Sequence, residues 1–292
     1  MPAPRLLLSV LLLGALTLTA CDRDAPEPPA PDAPIEVEPP ADDATGTADP
    51  GGDTAGDVDA PTTAGTIDYV ALGDSMATGT GAATSYPAEL ADLLADDTGA
   101  DIAVTNLAVD GWTSQDLLDA LRNDEAMRTA VTDADLVTLD IGGNDLLHAL
   151  PAYLNGTCGG DDGLQCLHDA ADDFAQRWDD LLDAVVDLRD GEAAGVLTLD
   201  LYQPFPHDER LGEHLDRLRP SLDAVNAAIH AGAEARDLPV ATVFAAFHGP
   251  DGLAEPALDG LISVDGLHPS NDGHRRIAEA LLPLVPAPNP AG

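Results

Sequence analysis

"IDYVALGDSMATGTG", residues 67–81, sets a run of β-branched and apolar residues directly against Gly73, Asp74 and Ser75. Ile67 to Leu72 reads as a buried strand that the Gly-Asp pair terminates. The serine then has two readings. It is a nucleophile presented at a strand end, or it is an N-cap in a polar turn before a helix. The stretch alone does not separate them, so the decision lies in what the rest of the chain brings to the same place.

Outward from this strand, strand-like and helix-like segments alternate. Strands are expected at "DIAVTNLAV" (101–109), "ADLVTLDIGG" (134–143), "AAGVLTLDLY" (193–202) and "PVATVFAAF" (239–247). Between them lie helical patterns at 85–99, 113–131, 168–190 and 219–236, with a closing helix at 270–285. Ser85 can cap the first of these, and Thr113 with Asp116 has capping-box spacing. The alternation implies right-handed βαβ crossovers and a parallel sheet covered on both faces. In such sheets, working groups collect beyond the carboxyl ends of strands. Polar blocks occur there: Gly73-Asp74-Ser75, then "NLAVDG" (106–111), Gly142-Gly143-Asn144-Asp145, and Asp265-Gly266-Leu267-His268 before the last helix. Each block alone reads as an ordinary turn; their order and joint placement do not.

The remaining composition bounds the rest. The net charge is −41 and every basic residue is an arginine. Such a surface repels nucleic acid and anionic headgroups, so no nucleic-acid partner is expected. Residues 1–20, with Arg5 ahead of an apolar run, read as an export signal. The junction Leu18-Thr19-Ala20-Cys21 resembles the lipobox of bacterial lipoproteins, in which the cysteine is lipidated; the alternative is an ordinary signal cut after Ala20. Residues 21–65 are rich in Pro, Ala and Asp and lack apolar periodicity. They read as a disordered linker, leaving a domain at 66–286 and a short tail at 287–292. If Cys21 carries lipid, the other two cysteines, Cys158 and Cys166, are free to pair. The expected location is extracytoplasmic, with a lipid anchor at Cys21 to the cell membrane.

On these four blocks, residues 67–285 resemble the SGNH hydrolases, or GDSL-type esterases and lipases. The matching residues are Ser75, Gly111, Asn144 and His268. The resemblance implies a three-layer α/β/α fold of flavodoxin-like type with a parallel sheet of about five strands. It implies Ser75 as nucleophile, His268 as base and Asp265 as the group orienting it. The oxyanion donors would be the Ser75 and Gly111 N–H groups and the Asn144 amide. No metal and no organic cofactor is implied. The expected substrate is a small-molecule, lipid or carbohydrate ester, and the enzyme is expected to act as a monomer. A short-chain carboxylesterase, a carbohydrate-ester deacetylase, a lysophospholipase and a catalytically silent binding module all remain open.

The chemistry of the residues is consistent with that implication. A serine hydroxyl needs a base, and an imidazole titrates near neutral pH. Ala77, standing where the Gly-x-Ser-x-Gly elbow of α/β-hydrolases has its last glycine, disfavours that family. "TGTGA" (78–82) lacks the third glycine of a dinucleotide loop and reads as a cleft wall. His148 is a candidate for the cleft, whereas His168, His230 and His274 read as surface or structural. Asp110 departs from the resemblance: its carboxylate points either into the cleft or to solvent. The segment "PAYLNGTCGGDDGLQC" (151–166) is expected to form a rim over the site or a surface staple.

Overall fold

The computed structural model describes residues 65–204 and 214–286. The expected signal peptide, Cys21, all but the last residue of the linker, His207 and the tail lie outside the described residues. Five strands form one sheet: β1 (Thr66–Leu72), β2 (Asp101–Asn106), β3 (Leu136–Leu139), β4 (Val196–Leu199) and β5 (Val240–Ala241). All neighbours are parallel and the order is β2-β1-β3-β4-β5. The helices are α1 (Ser75–Thr78), α2 (Tyr86–Thr98), α3 (Ser114–Asn123), α4 (Glu125–Asp133), α5 (Gly143–Leu154), α6 (Gln165–Leu188), α7 (Leu215–Glu234), α8 (Val243–His248) and α9 (Asn271–Leu281). This is the expected α/β/α arrangement.

Alternation along β1 divides its side chains between two cores, as the period of two demands. Val70 and Leu72 join Leu117, Phe174, Trp178 and Val225 on the face covered by α3, α6 and α7. Tyr69 and Ala71 join Tyr86, Leu90, Phe247 and Ile277 on the face covered by α2, α8 and α9. Burying apolar surface on both faces is worth about 25 cal/mol per Å², which is why the central strands carry almost no charge. The edge strand β2 is different: every residue in it except Ile102 is exposed.

The chain reverses its direction of winding between β1 and β3, which are adjacent in the sheet. A crevice opens at such a switch point beyond the carboxyl ends of the two strands. Ser75 follows β1 and Asn144 follows β3. The topology thus brings the first and third polar blocks together before any side chain is considered.

Four expectations are corrected. The apolar run at 239–247 is a two-residue strand followed by α8. Val243 and Phe247 are buried four apart, and Phe244 stacks on His248 at the same spacing, so a helical period hides inside what reads as a strand. The helix at 113–131 is two helices, because Asp124 adopts an extended conformation and caps α4 through Ala126 and Met127. The "GGND" block opens α5 rather than a loop, so residues up to Leu154 of the expected rim are helical. Ser85 makes no side-chain cap to α2, whereas the Thr113–Asp116 capping box of α3 is present.

Cys158 and Cys166 form a disulfide. It packs with Tyr153, Leu150, Leu167 and Leu218 at the junction of α5 and α6. The segment it closes is therefore tied down by a small apolar cluster of its own, shared with α5, α6 and α7.

His274 on α9 is fully buried, and the Tyr86 N–H donates to its Nδ1 at 3.2 Å. Burial pushes its pKa from 6.5 down to about 4. A histidine in the unfolded chain takes up its proton near the ordinary value, so unfolding binds protons between those two pH values. The stability that neutral His274 contributes is complete above pH 6.5 and is lost as pH falls through about 4. His274→Gln keeps an acceptor for Tyr86 without a titrating group. Urea denaturation at pH 7 and pH 5 is expected to show a smaller acid-induced loss of stability in that variant than in the unaltered protein.

Candidate active site

Ser75 is the first residue of α1, and Asp74 caps that helix by accepting the Met76 N–H at 3.0 Å. The preceding Gly73 has φ +153, and a Cβ there would fall inside the Asp140 carboxyl group. Only glycine lets the strand end approach Asp140 this closely. Asp140 is fully buried and neither of its carboxyl oxygens has a hydrogen-bond partner among the described residues. Burial, reinforced by the neighbouring Asp74, pushes its pKa well above the carboxylate range. Burial likewise pushes Asp74 up to about 6, against the lowering effects of the Met76 N–H and His268.

The Ser75 hydroxyl lies 3.0 Å from Nε2 of His268, and Nδ1 of that ring lies 2.6 Å from Oδ2 of Asp265. Three of the expected residues therefore stand in one line, His268 bridging its near neighbour Asp265 to the sequence-distant Ser75. The loop carrying the pair is built around one oxygen. Oδ1 of Asp265 accepts the Ser263 hydroxyl at 2.7 Å and the N–H groups of Leu267 and His268 at 2.8 and 2.9 Å. Gly266, with φ +77, makes the tight turn possible. Partial burial alone would raise the Asp265 carboxyl, but the bonds from His268, Ser263 and Leu267 outweigh it and hold the group well below its ordinary value. The Tyr202 hydroxyl donates to the Leu267 carbonyl at 2.6 Å and ties this loop to the end of β4.

The expected oxyanion donors divide into two kinds. The Ser75 and Gly111 N–H groups donate to no group among the described residues. Both hydrogens of the Asn144 amide are engaged: Nδ2 lies 2.9 Å from the Trp112 carbonyl oxygen and 3.1 Å from Oδ2 of Asp74. Asn144 can serve an oxyanion only by giving up or sharing one of these bonds.

A cavity of about 140 Å³ opens beside Ser75 and His268. Its wall is largely leucine: Leu146, Leu147, Leu150, Leu167, Leu218 and Leu222. Leu150 and Leu167 also contact the disulfide cluster, so the staple backs this wall. His148 does not line it; it lines a separate depression with Asp145 and Arg177. His230 pairs with Asp200 at 3.0 Å, and His168 is exposed near Asp162. His248 is buried and accepts the Gln203 N–H at 3.0 Å. Among the described residues, no group of three or more histidines, cysteines and carboxylates is disposed to hold a metal ion.

The segment 78–82, expected to be a cleft wall, does not line the cavity beside Ser75. Thr78 and Thr80 donate their hydroxyls to the Asp110 carboxylate, and Gly81 packs against the His268 and Ser263 side chains. Sequence reasoning missed these roles for Thr78, Thr80 and Ser263. The Ser-x-Asp spacing at 263–265 was a usable signal for the last; nothing local marked the threonines.

A serine, an imidazole and a carboxylate in line beside an apolar cavity, at the strand ends of an α/β/α fold, form a constellation suited to nucleophilic acyl transfer. The family described as GDSL-like Lipase/Acylhydrolase matches residues 69–281, and the chain belongs to that family, which makes the protein a hydrolase of ester bonds. It is 24% identical over 221 residues to the spore germination lipase LipC of Bacillus licheniformis, covering 74% of this chain and 95% of that one. Among solved structures, it is similar in fold to the lipase Lip_vut3 from a goat rumen metagenome. That match has 24% identity and a TM-score of 0.56, and covers 75% of this chain and 96% of the other. A variant of an acetyl xylan esterase from Geobacillus stearothermophilus matches at 19% identity with a TM-score of 0.54, covering 78% and 99%.

Asp265→Ala removes the acceptor for Nδ1 of His268 and the oxygen that organises the loop. It is expected to lower kcat for a p-nitrophenyl ester by about 10³–10⁴. Ser263→Ala removes one donor and leaves the ring contact; it is expected to cost less than about tenfold. Steady-state hydrolysis measures both.

Proposed function

We propose that the protein is an exported, lipid-anchored serine esterase that cleaves esters of aliphatic acids longer than acetate through an acyl-enzyme on Ser75. The observation that carries this reading is the contact of Ser75 Oγ with His268 Nε2 at the mouth of a leucine-lined cavity. In the proposed cycle, Oγ attacks the ester carbonyl as its proton passes to Nε2, while Asp265 accepts the Nδ1 proton's hydrogen bond and favours the imidazolium. The carbonyl oxygen becomes an oxyanion facing the unengaged N–H groups of Ser75 and Gly111, with Asn144 joining once one of its bonds is released. Collapse expels the alcohol, which takes the proton from Nε2. Water then repeats the sequence on the acyl-enzyme, and the acid leaves with Ser75 restored.

The leucine wall favours an alkyl chain over an acetyl group. Each methylene buried there gains about 0.8 kcal/mol, close to fourfold in kcat/KM. Acetate would leave most of the wall unused. The tether rests on the Leu18–Cys21 junction and the Pro- and Asp-rich residues that follow it.

A fluorophosphonate probe is expected to label the full-length protein and not Ser75→Ala; equal labelling of both would refute the nucleophile assignment. Across p-nitrophenyl acetate, butyrate and hexanoate, kcat/KM is expected to rise by about threefold to fourfold per methylene while the cavity still accepts the chain. A series that peaks at acetate would instead indicate a deacetylase. Cys21→Ser is expected to free the protein into the medium, and unchanged membrane retention would count against the anchor.

A further inference from the structure

Asp110 sits in the loop between β2 and α3, immediately before Gly111. It is exposed, yet each of its carboxylate oxygens has a partner. One oxygen accepts the Thr78 hydroxyl and the other accepts the Thr80 hydroxyl at 3.1 Å. A threonine hydroxyl has a single hydrogen, so Thr78 gives its own to Asp110 while its oxygen stays 3.1 Å from the Ser75 carbonyl oxygen. The Thr80 N–H donates to that same carbonyl at 3.1 Å. With the Thr78 N–H donating to the Asp74 carbonyl at 3.1 Å, both threonines are held by their own N–H groups to the backbone of the nucleophile's helix and its exit turn. Asp110 does not line the cavity beside Ser75.

On the other side of Gly111, the Trp112 carbonyl accepts the Asn144 amide at 2.9 Å. The glycine itself has φ +80 and open space where a Cβ would be. Its own packing therefore does little to fix its orientation. The peptide joining Asp110 to Gly111 is a rigid plane that carries the Gly111 N–H. The Trp112 N–H closes a turn over this peptide by donating to the Val109 carbonyl at 3.2 Å, and the Val109 N–H donates to the Gly73 carbonyl at 3.2 Å. Within that turn, glycine's wide range of φ leaves the tilt of the plane to whatever holds Asp110.

We propose that Asp110, gripped by Thr78 and Thr80, is a positioning residue that aims the Gly111 N–H at the oxyanion formed on Ser75. This rests on the esterase reading given above. Donors to a developing charge need placement within about 0.5 Å, and an irregular loop does not supply that by itself. The grip spans the gap directly, since it links the residue before the donor to the turn that follows the nucleophile. The carboxylate's charge is turned onto two hydroxyl donors rather than toward the oxyanion.

Loss of a whole oxyanion donor costs about 10²–10³ in kcat. A misaimed one is expected to cost about ten- to a hundredfold. In the full-length protein, Asp110→Ala is therefore expected to lower kcat for p-nitrophenyl butyrate by about that factor, with KM within about twofold and an unchanged Tm. Asp110→Asn retains a hydrogen-bonding group of the same shape and is expected to recover to within about fivefold of the unaltered enzyme. Thr78→Val with Thr80→Val is expected to match Asp110→Ala, and combining all three to add no further loss. A wild-type kcat in Asp110→Ala, an Asn variant no better than Ala, or a multiplicative loss in the triple variant would each overturn the clamp. Ser75→Ala is assayed alongside: retained hydrolysis there would show that the esterase reading had failed, independently of Asp110.

Discussion

A hydrogen bond between Ser75 and His268 closes across 193 residues of chain, and the surrounding architecture is organised by the need to make it. Neither side chain can reach the other unless the sheet delivers β1 to the crevice and the segment before α9 folds back over it. The switch of winding between β1 and β3 satisfies the first requirement. The second depends on polar ties in the loop before α9 and one between the helices themselves. Tyr202 holds the Leu267 carbonyl, Asp265 collects Ser263, Leu267 and His268 on one oxygen, and His274 receives the Tyr86 N–H to dock α9 against α2. Loops are ordinarily the loosest parts of a domain. Here the loop at 263–268 gains its order from hydrogen bonds concentrated on a single carboxylate.

The same region carries the largest electrostatic liabilities in the described residues. Asp74 and Asp140 lie buried behind the nucleophile; burial raises the pKa of both, and Asp74 raises that of Asp140 further. Burying a carboxyl group with no partner costs free energy that packing elsewhere must offset. Two cores of leucine, valine and aromatic side chains flank the sheet and supply that offset. Asp74 also takes one of the Asn144 hydrogens, so the acid that caps the nucleophile's helix competes for an expected oxyanion donor. The cost and the reactive geometry fall on the same few residues.

Much of this was legible in the amino-acid order. The alternation of strand and helix patterns identified the sheet and its parallel sense, and the strand-ending polar blocks carried the residues, Ser75, Asp265 and His268, that the structure brings into one line, because side-chain period and glycine punctuation are local signals. The β5–α8 boundary was not legible. A two-residue strand followed by Val243, Phe244 and Phe247 gives one continuous apolar run, and burial on both sides erases the difference in period. The break at Asp124 was missed for the opposite reason: one capping residue interrupts a helix pattern that otherwise continues. The saturation of Asn144 and the grip of Thr78 and Thr80 on Asp110 depend on where loops meet in space. No spacing rule along the chain encodes that meeting.

Gly73 and Asp140 have a consequence for how this chain can vary. The glycine is usually credited to the turn it makes, but here the space it leaves is filled by a carboxyl group from the adjacent strand. The dependence runs one way. Trimming 140 opens a void beneath the nucleophile, yet it does not free position 73, where φ is +153 and a Cβ would still clash with the Asp140 backbone oxygen. The glycine is thus held by main chain as well as by the carboxyl group, and a change at 140 leaves it as necessary as before.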